Sequence, residues 1–262
     1  MFNFYKKRRK PYNFGIVLSG GGARGFAHLG VLKALNQYNI FPDVISGVSA
    51  GSIVGAFYAD GYSPDEIFEL FTDSKIFNFL KLNIPKKGFG NLNGLKKLLD
   101  ENLRARTFEE LKIPLFITAT DLNNGKSVYF NKGEIKDVVL ASSSIPVIFS
   151  PIEIDNISYA DGGIMNNFPV EPIINITKKL IGVYVTSIEY ADEFKNLFNI
   201  ALRSFHLGIA ANVHAKSQKM NLYIEPKGIG KFKVLDVSKG KEIFDLGYNE
   251  TIKVLKDSNF KF

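Results

Sequence analysis

The sequence predicts an α/β fold in which helices cover a mainly parallel sheet. Two successive segments, residues 14–37 and 41–62, each read as an apolar strand, a glycine-rich turn and a helix, and a further apolar strand follows at residues 113–122. Strands that alternate with helices usually pair in parallel. The chain has 262 residues, 45% of them hydrophobic, and can bury a large core. We expect a basic tail at residues 1–13 and one domain at residues 14–262.

The first unit begins with the apolar run Phe14–Leu18, whose length is typical of a buried strand. The loop "SGGGARG" at Ser19–Gly25 follows it. Apolar residues then recur every three positions, which predicts a helix over residues 25–37 with one apolar face.

The second unit has the same order of elements. The stretch at residues 41–46, in which its strand is expected to follow Asp43, leads into a turn around Ser49 and a helix over residues 52–62. Ser63 is then predicted to cap a helix that continues to about residue 72, because proline suits the first helical position that follows it.

The rest of the chain is predicted to contain short strands and further helices. Asn124-Gly125 and Asp155-Asn156 are predicted to form tight turns between strands. Extended segments are expected at residues 113–122, 125–133, 142–154, 157–163, 178–188 and 221–226, and helices at residues 94–103, 134–141 and through most of the last 75 residues. Residues 75–93 mix apolar side chains with lysine, proline and glycine; the pattern favours a long connection over a flap that covers an apolar site.

Charge is concentrated at the N-terminus. Five of the net +7 charges come from Lys6, Lys7, Arg8, Arg9 and Lys10, beside a cluster of aromatic residues. Such a tail could contact an anionic membrane surface or be solvated and disordered. The body shows no basic stripe with interleaved aromatics, so nucleic-acid binding is not indicated. We find no secretory signal and no apolar run long enough to span a membrane, so we expect a cytoplasmic protein. Any contact of its basic tail with a membrane is expected to be peripheral.

Ser49 lies within a Gly-x-Ser-x-Gly pattern between Gly47 and Gly51. The bare pattern is short and has an appreciable chance rate. Its position between a predicted strand and a predicted helix is more specific, because a nucleophile elbow requires a strained serine with small neighbours at such a turn. The context therefore indicates a nucleophilic serine.

The loop that ends the first strand offers a partner for this serine. Three residues without side chains, Gly20, Gly21 and Gly22, could aim backbone N–H groups at the oxyanion of a tetrahedral intermediate. The same loop satisfies G-x-G-x-x-G through Gly25, so a dinucleotide site is the alternative. That alternative lacks an acidic residue at the end of the second strand, since Asp43 precedes this strand.

A general base can be sought among three histidines and one aspartate. His28 lies in the first predicted helix, while His206 and His214 lie in a later one and fit the Ser…Asp…His order of the α/β-hydrolases. Asp161 instead ends a predicted strand and is followed by Gly162 and Gly163, which allow a sharp turn at the same edge of the sheet.

Three ordered blocks resemble the patatin-like phospholipases. They are Gly-Gly-Gly-Ala-Arg-Gly at residues 20–25, Gly-Val-Ser-Ala-Gly at residues 47–51 and Asp-Gly-Gly at residues 161–163. The resemblance is strong over residues 14–172 and weak beyond them. The basic tail and residues 75–93 are not explained by it.

The resemblance implies a three-layer α/β/α sandwich that cleaves acyl esters of lipids with a Ser–Asp dyad and no histidine. Ser49 would be the nucleophile, Asp161 the proton acceptor, and the three glycines at 20–22 the oxyanion hole. For Arg24 we favour a clamp on the glycine loop over a contact with a lipid phosphate. We expect no cofactor and no metal, because the chain shows no cluster of His, Asp or Glu with ligand spacing.

Two alternatives stay open at this point. One is an α/β-hydrolase that uses His206 or His214, and the other is a non-catalytic lipid-binding protein with the same fold. An aspartate with an ordinary pKa is ionised at neutral pH, so we expect activity from neutral to mildly alkaline pH. A rate that follows a group titrating near the histidine pKa would then argue against the dyad.

Overall fold

The computed structural model describes residues 10–73, 92–146, 148–190, 197–210 and 213–258, except for the side chains of Asp73, Phe198 and His214. The basic residues Lys6, Lys7, Arg8 and Arg9 lie outside these ranges, and so does most of the segment 75–93 for which a flap was considered. The strands are β1 Tyr12–Leu18, β2 Val44–Val48, β3 Leu115–Asp121, β4 Lys126–Phe130, β5 Ile152–Ile154, β6 Ile157–Asp161, β7 Thr177–Val183 and β8 Leu222–Ile224. The helices are α1 Phe26–Gln37, α2 Ala50–Ala59, α3 Pro64–Asp73, α4 Asn93–Asn102, α5 Ile135–Ser142, α6 Gly163–Asn166, α7 Leu197–Ala210, α8 Val213–Ser217 and α9 Gly240–Asp257.

These strands form one mixed sheet in the order β5-β6-β3-β2-β1-β7-β8, with β4 also paired to β3. Strands β3, β2, β1, β7 and β8 are parallel to one another, whereas β4, β5 and β6 form an antiparallel arm. A central sheet with flanking helices confirms the predicted fold class.

Strand β3 decides where the ends of β2 and β6 lie. Along one edge of β3, residues Ile117–Asp121 pair with β4. The other edge pairs first with β2, up to Val48 opposite Thr118, and then with β6, from Asp161 opposite Ala119. Strands β2 and β6 therefore run toward each other on the same edge of β3. Their carboxyl ends meet, and the residues at these ends become neighbours.

The two faces of the sheet have separate apolar cores. Alternate side chains of β1 belong to one core or the other, because successive residues of a strand point to opposite faces of the sheet. Ile16 and Leu18 belong to the larger core, which includes residues of helices α1, α2, α5 and α9. Val17 belongs to the second core, with Phe168, Val170 and Ile173 from the segment after α6. This segment follows Asp161 and α6 in the chain and packs in the second core.

Several predicted boundaries hold and others move. Ser63 and Glu66 form the expected capping arrangement at α3: the Ser63 hydroxyl accepts from the Glu66 N–H (3.2 Å), and the Glu66 carboxylate accepts from the Ser63 N–H (2.7 Å). The turn at Asp155-Asn156 is confirmed, with positive φ at both residues. Strand β1 begins two residues earlier than expected, because the Tyr12 N–H donates to the Ile176 carbonyl (3.2 Å).

The largest differences concern irregular segments. Residues 142–154 were expected to be extended, yet β5 occupies three of them, because the chain turns after α5 and the Phe149 N–H donates to the Ile145 carbonyl. The strand expected over residues 178–188 ends at Val183. No helix within the described ranges is long and apolar enough to cross a membrane. That residues 14–262 form one domain stays a prediction.

Candidate active site

Ser49 lies between β2 and α2 with no intervening loop. Its backbone has φ 51° and ψ −123°, values that a residue with a side chain adopts only under constraint. The constraint comes from close packing: a Cβ on Gly47 would lie 2.5 Å from the Gly51 carbonyl oxygen, and one on Gly51 would lie 2.3 Å from that of Leu18. The predicted small neighbours are therefore required by the close approach of α2 to β1 and β2.

The backbone of the elbow is fixed by serine side chains. The Ser49 N–H donates to Ser142 Oγ (2.9 Å), which in turn donates to the Thr118 carbonyl (2.7 Å). The Ser49 carbonyl accepts from Ser52 Oγ (2.7 Å). Ser49 itself is buried, with 5% of its surface exposed. Its N–H is already used, so stabilisation of an oxyanion must come from other donors.

Asp161 meets Ser49 because β6 runs head-on toward β2. The two side chains lie close enough for the Ser49 hydroxyl to lower the pKa of Asp161, and the Gly163 N–H donates to Asp161 Oδ1 (2.7 Å). Asp161 is buried, and this burial raises the pKa of its carboxyl to about 6, against the opposing effect of the hydrogen bonds from Ser49 and Gly163. The carboxylate is thus a stronger base than an exposed aspartate.

The glycine-rich loop lies directly against Ser49. A Cβ on Gly20 would lie 3.2 Å from Ser49 Cβ and 2.3 Å from Asn167 Oδ1. Gly22 has φ 55° and begins a 3₁₀ turn that ends at Gly25, whose Cα faces Ala50. Within the described part of the chain, the N–H groups of Gly20, Gly21 and Gly22 donate to no other residue.

Side chains behind the loop hold its carbonyl groups. His28 Nε2 donates to the Ser19 carbonyl (2.8 Å), and the Gly20 carbonyl accepts from Ser19 Oγ (3.0 Å) and from Thr186 Oγ1 (2.5 Å). In a trans peptide the N–H points opposite to the preceding carbonyl. Anchoring the carbonyls of Ser19 and Gly20 at the back therefore turns the N–H groups of Gly20 and Gly21 toward the front of the loop.

Arg24 points away from this front. Its guanidinium group donates to the backbone carbonyls of Phe232 (2.8 Å), Gly230 (2.8 Å) and Ser187 (3.2 Å). Burial lowers the pKa of Arg24, and Glu189 partly offsets this effect. All three guanidinium nitrogens donate to backbone carbonyls, so these contacts agree with the expected role of Arg24 as a clamp on the glycine loop.

The histidines do not approach the serine in the described structure. His28 is fully buried behind the loop, and burial lowers its pKa to about 4. Burial and the charges of Arg24 and Arg203 lower the pKa of His206 to about 4 as well. Neither side chain bonds to Ser49 or Asp161, and the side chain of His214 lies outside the described atoms.

Three residues of this site were not singled out from the sequence. Ser142 anchors the elbow, Thr186 anchors Gly20, and Asn167 donates to Thr186 Oγ1 (3.1 Å) while lying against Gly20 and Gly163. Ser142 and Asn167 lie in stretches that resemble the family, but resemblance alone gives no role. Thr186 follows β7 and carries no local signal, because its contact with Gly20 is made across 166 residues.

The fold and this geometry define a class of protein: a mixed α/β sheet with a strained serine at a strand–helix elbow, a buried carboxylate next to it, and an N–H-rich glycine loop. The family model of the patatin-like phospholipases matches residues 16–174. This chain therefore belongs to the patatin-like phospholipase family.

The individual relatives are longer proteins, and this chain matches a part of each of them. An uncharacterized NTE family protein of Mycobacterium tuberculosis is 34% identical over 168 residues, which cover 63% of this chain and 46% of the relative. Lysophospholipase NTE1 of Saccharomyces cerevisiae is 28% identical over 266 residues, or 89% of this chain and 16% of the relative. This chain thus spans about half the length of the mycobacterial relative and less of the yeast one.

Solved structures show the same fold. The crystal structure of VipD from Legionella pneumophila matches 94% of this chain and 67% of its own, with a TM-score of 0.56 and 16% sequence identity. At this identity the likeness concerns the fold.

Proposed function

We propose that this protein is a serine acyl hydrolase that cleaves ester bonds of lipids with Ser49 as nucleophile and Asp161 as base. One observation carries the proposal: the topology of β3 brings a strained serine and a buried carboxylate together where β2 and β6 end. The family and the name lysophospholipase of the yeast relative support a lipid ester as the substrate.

The reaction needs two proton transfers at each stage. Ser49 Oγ attacks the ester carbonyl while its proton passes to Asp161, and the tetrahedral intermediate then expels the alcohol, which takes that proton back. Water attacks the acyl-serine, giving a proton to Asp161. Collapse of the second intermediate releases the fatty acid, and the Ser49 oxygen recovers the proton.

The raised pKa makes Asp161 competent for this role. A general base is most effective when its pKa lies near the working pH, and an ordinary aspartate falls well short of it. Burial brings the pKa of Asp161 to about 6, so at neutral pH the group is mostly ionised and accepts a proton more readily. The mechanism thus needs no histidine.

This value also changes the pH test. A group that titrates near the histidine pKa was expected to count against the dyad, but Asp161 itself now titrates there. The acid limb of a pH profile is expected for either base. Substitution of the residues is required to tell the two mechanisms apart.

The oxyanion would be bound by the N–H groups of Gly20 and Gly21, with Gly22 beside them. Gly20 lies against Ser49 Cβ, and the three N–H groups donate to no described residue. The N–H groups of Gly20 and Gly21 are turned forward because His28, Ser19 and Thr186 hold the carbonyls of Ser19 and Gly20. The N-terminus of α2, which begins at Ala50, adds a favourable dipole.

Labelling with a fluorophosphonate probe tests the proposal. The folded protein is expected to be labelled, and Ser49→Ala to lose the label. Ser158→Ala is the matched control, because Ser158 lies on β6 three residues before Asp161 and outside the site. Failure of the wild type to react, or labelling that persists in Ser49→Ala, contradicts the proposal. Retained turnover of lipid esters in Asp161→Asn contradicts the role of the aspartate.

A further inference from the structure

Helix α7 exposes three of its large apolar side chains, while Leu202 and Phe205 are partly buried and Ile209 is buried. Leu197, Ile200 and Leu207 are 80%, 46% and 49% exposed. At 3.6 residues per turn these three side chains fall within about 80° of one another on the helix surface. The polar residues Arg203 and His206 are instead partly buried, and Arg203 donates to the Glu189 carbonyl (2.6 Å). A helix on an ordinary protein surface has the opposite arrangement.

This helix borders the proposed catalytic site. Gly208 and Ile209 of α7 line a small cavity together with Gly163 and Met165, and Gly163 is the donor to Asp161. Met165 is 49% exposed. His206 of α7 also lies near enough to the Arg24 guanidinium, on the side away from the front of the glycine loop, for the charge of Arg24 to lower its pKa. We call Leu197, Ile200, Leu207 and Met165 the α7 face.

The sequence around α7 is strongly basic. Residues 197–239 contain seven Lys or Arg and two Asp or Glu, whereas the rest of the body, outside both this segment and Lys6–Lys10, has an acidic excess. Four of these lysines are exposed and form no ion pair with a described carboxylate: Lys219, Lys227, Lys231 and Lys233. Lys231 and Lys233 alternate with Gly230 and Phe232, whose carbonyls bind Arg24.

We propose that the α7 face inserts into the acyl-chain region of an anionic lipid bilayer, with the four lysines at the phosphate headgroups. An apolar face without acidic residues matches the interior of the bilayer, and the exposed lysines in the segment that follows α7 match an anionic surface. The proposal deepens the proposed function, on which it rests: it places the mouth of the Ser49–Asp161 site against substrate that is packed in a membrane.

Co-sedimentation with vesicles tests the inference in a Ser49→Ala background, where the lipid is not consumed. The protein is expected to bind vesicles of phosphatidylglycerol and phosphatidylcholine in equal amounts, and to bind pure phosphatidylcholine more weakly. The double change Ile200→Gln and Leu207→Gln is expected to weaken binding roughly tenfold or more, since it removes two exposed aliphatic side chains that the bilayer would bury. Changing Lys231 and Lys233 to Gln is expected to cost about fivefold per lysine and to reduce the salt dependence.

Matched controls exclude general effects of the substitutions. Phe41→Gln removes an apolar side chain of similar exposure (53%) from the connection between α1 and β2. Changing Lys253 and Lys256 to Gln removes two exposed charges from α9. Both controls are expected to bind like the parent. Equal unfolding midpoints for the α7 variant and the parent show that the variant is folded.

The inference is overturned if the parent does not bind the mixed vesicles, or if the α7 double variant binds them as well as the parent. A second copy of this chain, or residues outside the described ranges, would then cover the face. Labelling of Ser49 by the fluorophosphonate is measured separately in the wild type. Loss of vesicle binding with intact labelling rejects this inference alone, and absence of labelling rejects the proposed function.

Discussion

Asp161 differs from an ordinary aspartate because its carboxyl is buried and its pKa is raised. Because burial raises its pKa to about 6, kcat/KM is expected to rise with pH and to level off above that value. Asp161→Asn is expected to lower kcat by about 10² to 10⁴-fold, the usual contribution of a positioned base. Steady-state kinetics on a soluble short-chain ester between pH 5 and pH 9 measures both effects.

The control for this prediction is the histidine that fits the rival mechanism. His206→Gln is expected to keep both the rate and the acid limb, because the described side chain does not contact Ser49. If His206→Gln or His214→Gln abolishes turnover while Asp161→Asn retains it, a histidine is the base.

Thr186 is predicted to position the oxyanion hole through Gly20. Thr186→Val removes the hydroxyl that donates to the Gly20 carbonyl but keeps the shape of the side chain. We expect kcat to fall roughly tenfold with little change in KM, which is less than the 10² to 10³-fold cost of removing a donor itself. Thr186→Ser keeps the hydroxyl and is expected to restore most of kcat. Equal rates in the Val and Ser variants would contradict the role.

At the scale of elements, the elbow depends on how closely α2 approaches β1. A Cβ on Gly51 would lie 2.3 Å from the backbone oxygen of Leu18, which cannot move aside like a side chain. Gly51→Ala is therefore expected to destabilise the fold by about 2–3 kcal/mol or more. Urea denaturation measures this loss.

Gly55, one turn further along α2, is the matched control. Its added Cβ would meet side-chain methyl groups of Ile45 and Leu115 at 3.2 Å, which can give by a few tenths of an ångström. Alanine is also favoured over glycine in a helix by about 1 kcal/mol. We expect Gly55→Ala to change stability little. Similar losses in the two variants would contradict the close approach as the cause.

The elements themselves were predictable where local chemistry decides them. The capping pair Ser63 and Glu66, the turn at Asp155-Asn156 and the helix α1 depend on residues close in the chain, and all three were found. The single apolar face expected for α1 was wrong, because the helix is buried on nearly every side between other elements. Residues 142–154 were mispredicted, because an apolar run does not by itself distinguish a strand from an irregular turn that packs in the core.

At the scale of the whole molecule, the stability depends on two buried groups with opposite pH effects. The pKa of Asp161 is about 6, above its usual value near 4, so its contribution to the free energy of unfolding decreases as pH rises between about 4 and 6. The pKa of His28 is about 4, below its usual 6.5, so its contribution is lost as pH falls from about 6.5 to 4. Each effect is about 3 kcal/mol in size.

The partly buried His206, whose pKa is also about 4, acts in the same direction as His28, so the wild type should gain stability as pH rises from 4.5 to 7 although Asp161 opposes this gain. We therefore expect the free energy of unfolding of Asp161→Asn to increase by about 2 kcal/mol more than that of the wild type between pH 4.5 and pH 7, because the variant lacks the opposing carboxyl. Urea denaturation at both pH values measures the difference. A constant difference between the two proteins would show that the carboxyl is not buried with a raised pKa.

The candidate site was predictable in part. Ser49, Asp161 and the glycine loop each occupy a local context with a physical signature: a strand end, a turn, and residues without side chains. The groups that support them were not, because His28, Ser142 and Thr186 act through hydrogen bonds to backbone atoms distant in the sequence. Serine and threonine are common residues, and nothing in their neighbours shows which carbonyl they will meet.

The sequence by itself determined the class of fold, the serine at an elbow, the glycine loop and the aspartate that follows a strand, since these features are written in short stretches of neighbouring residues. Tertiary structure alone decided how they combine. One edge of β3 carries both β2 and β6, and the head-on meeting of these strands sets Ser49 against Asp161. The same packing excludes water from the carboxyl and raises its pKa to about 6, because desolvation depends on all the elements that surround a group.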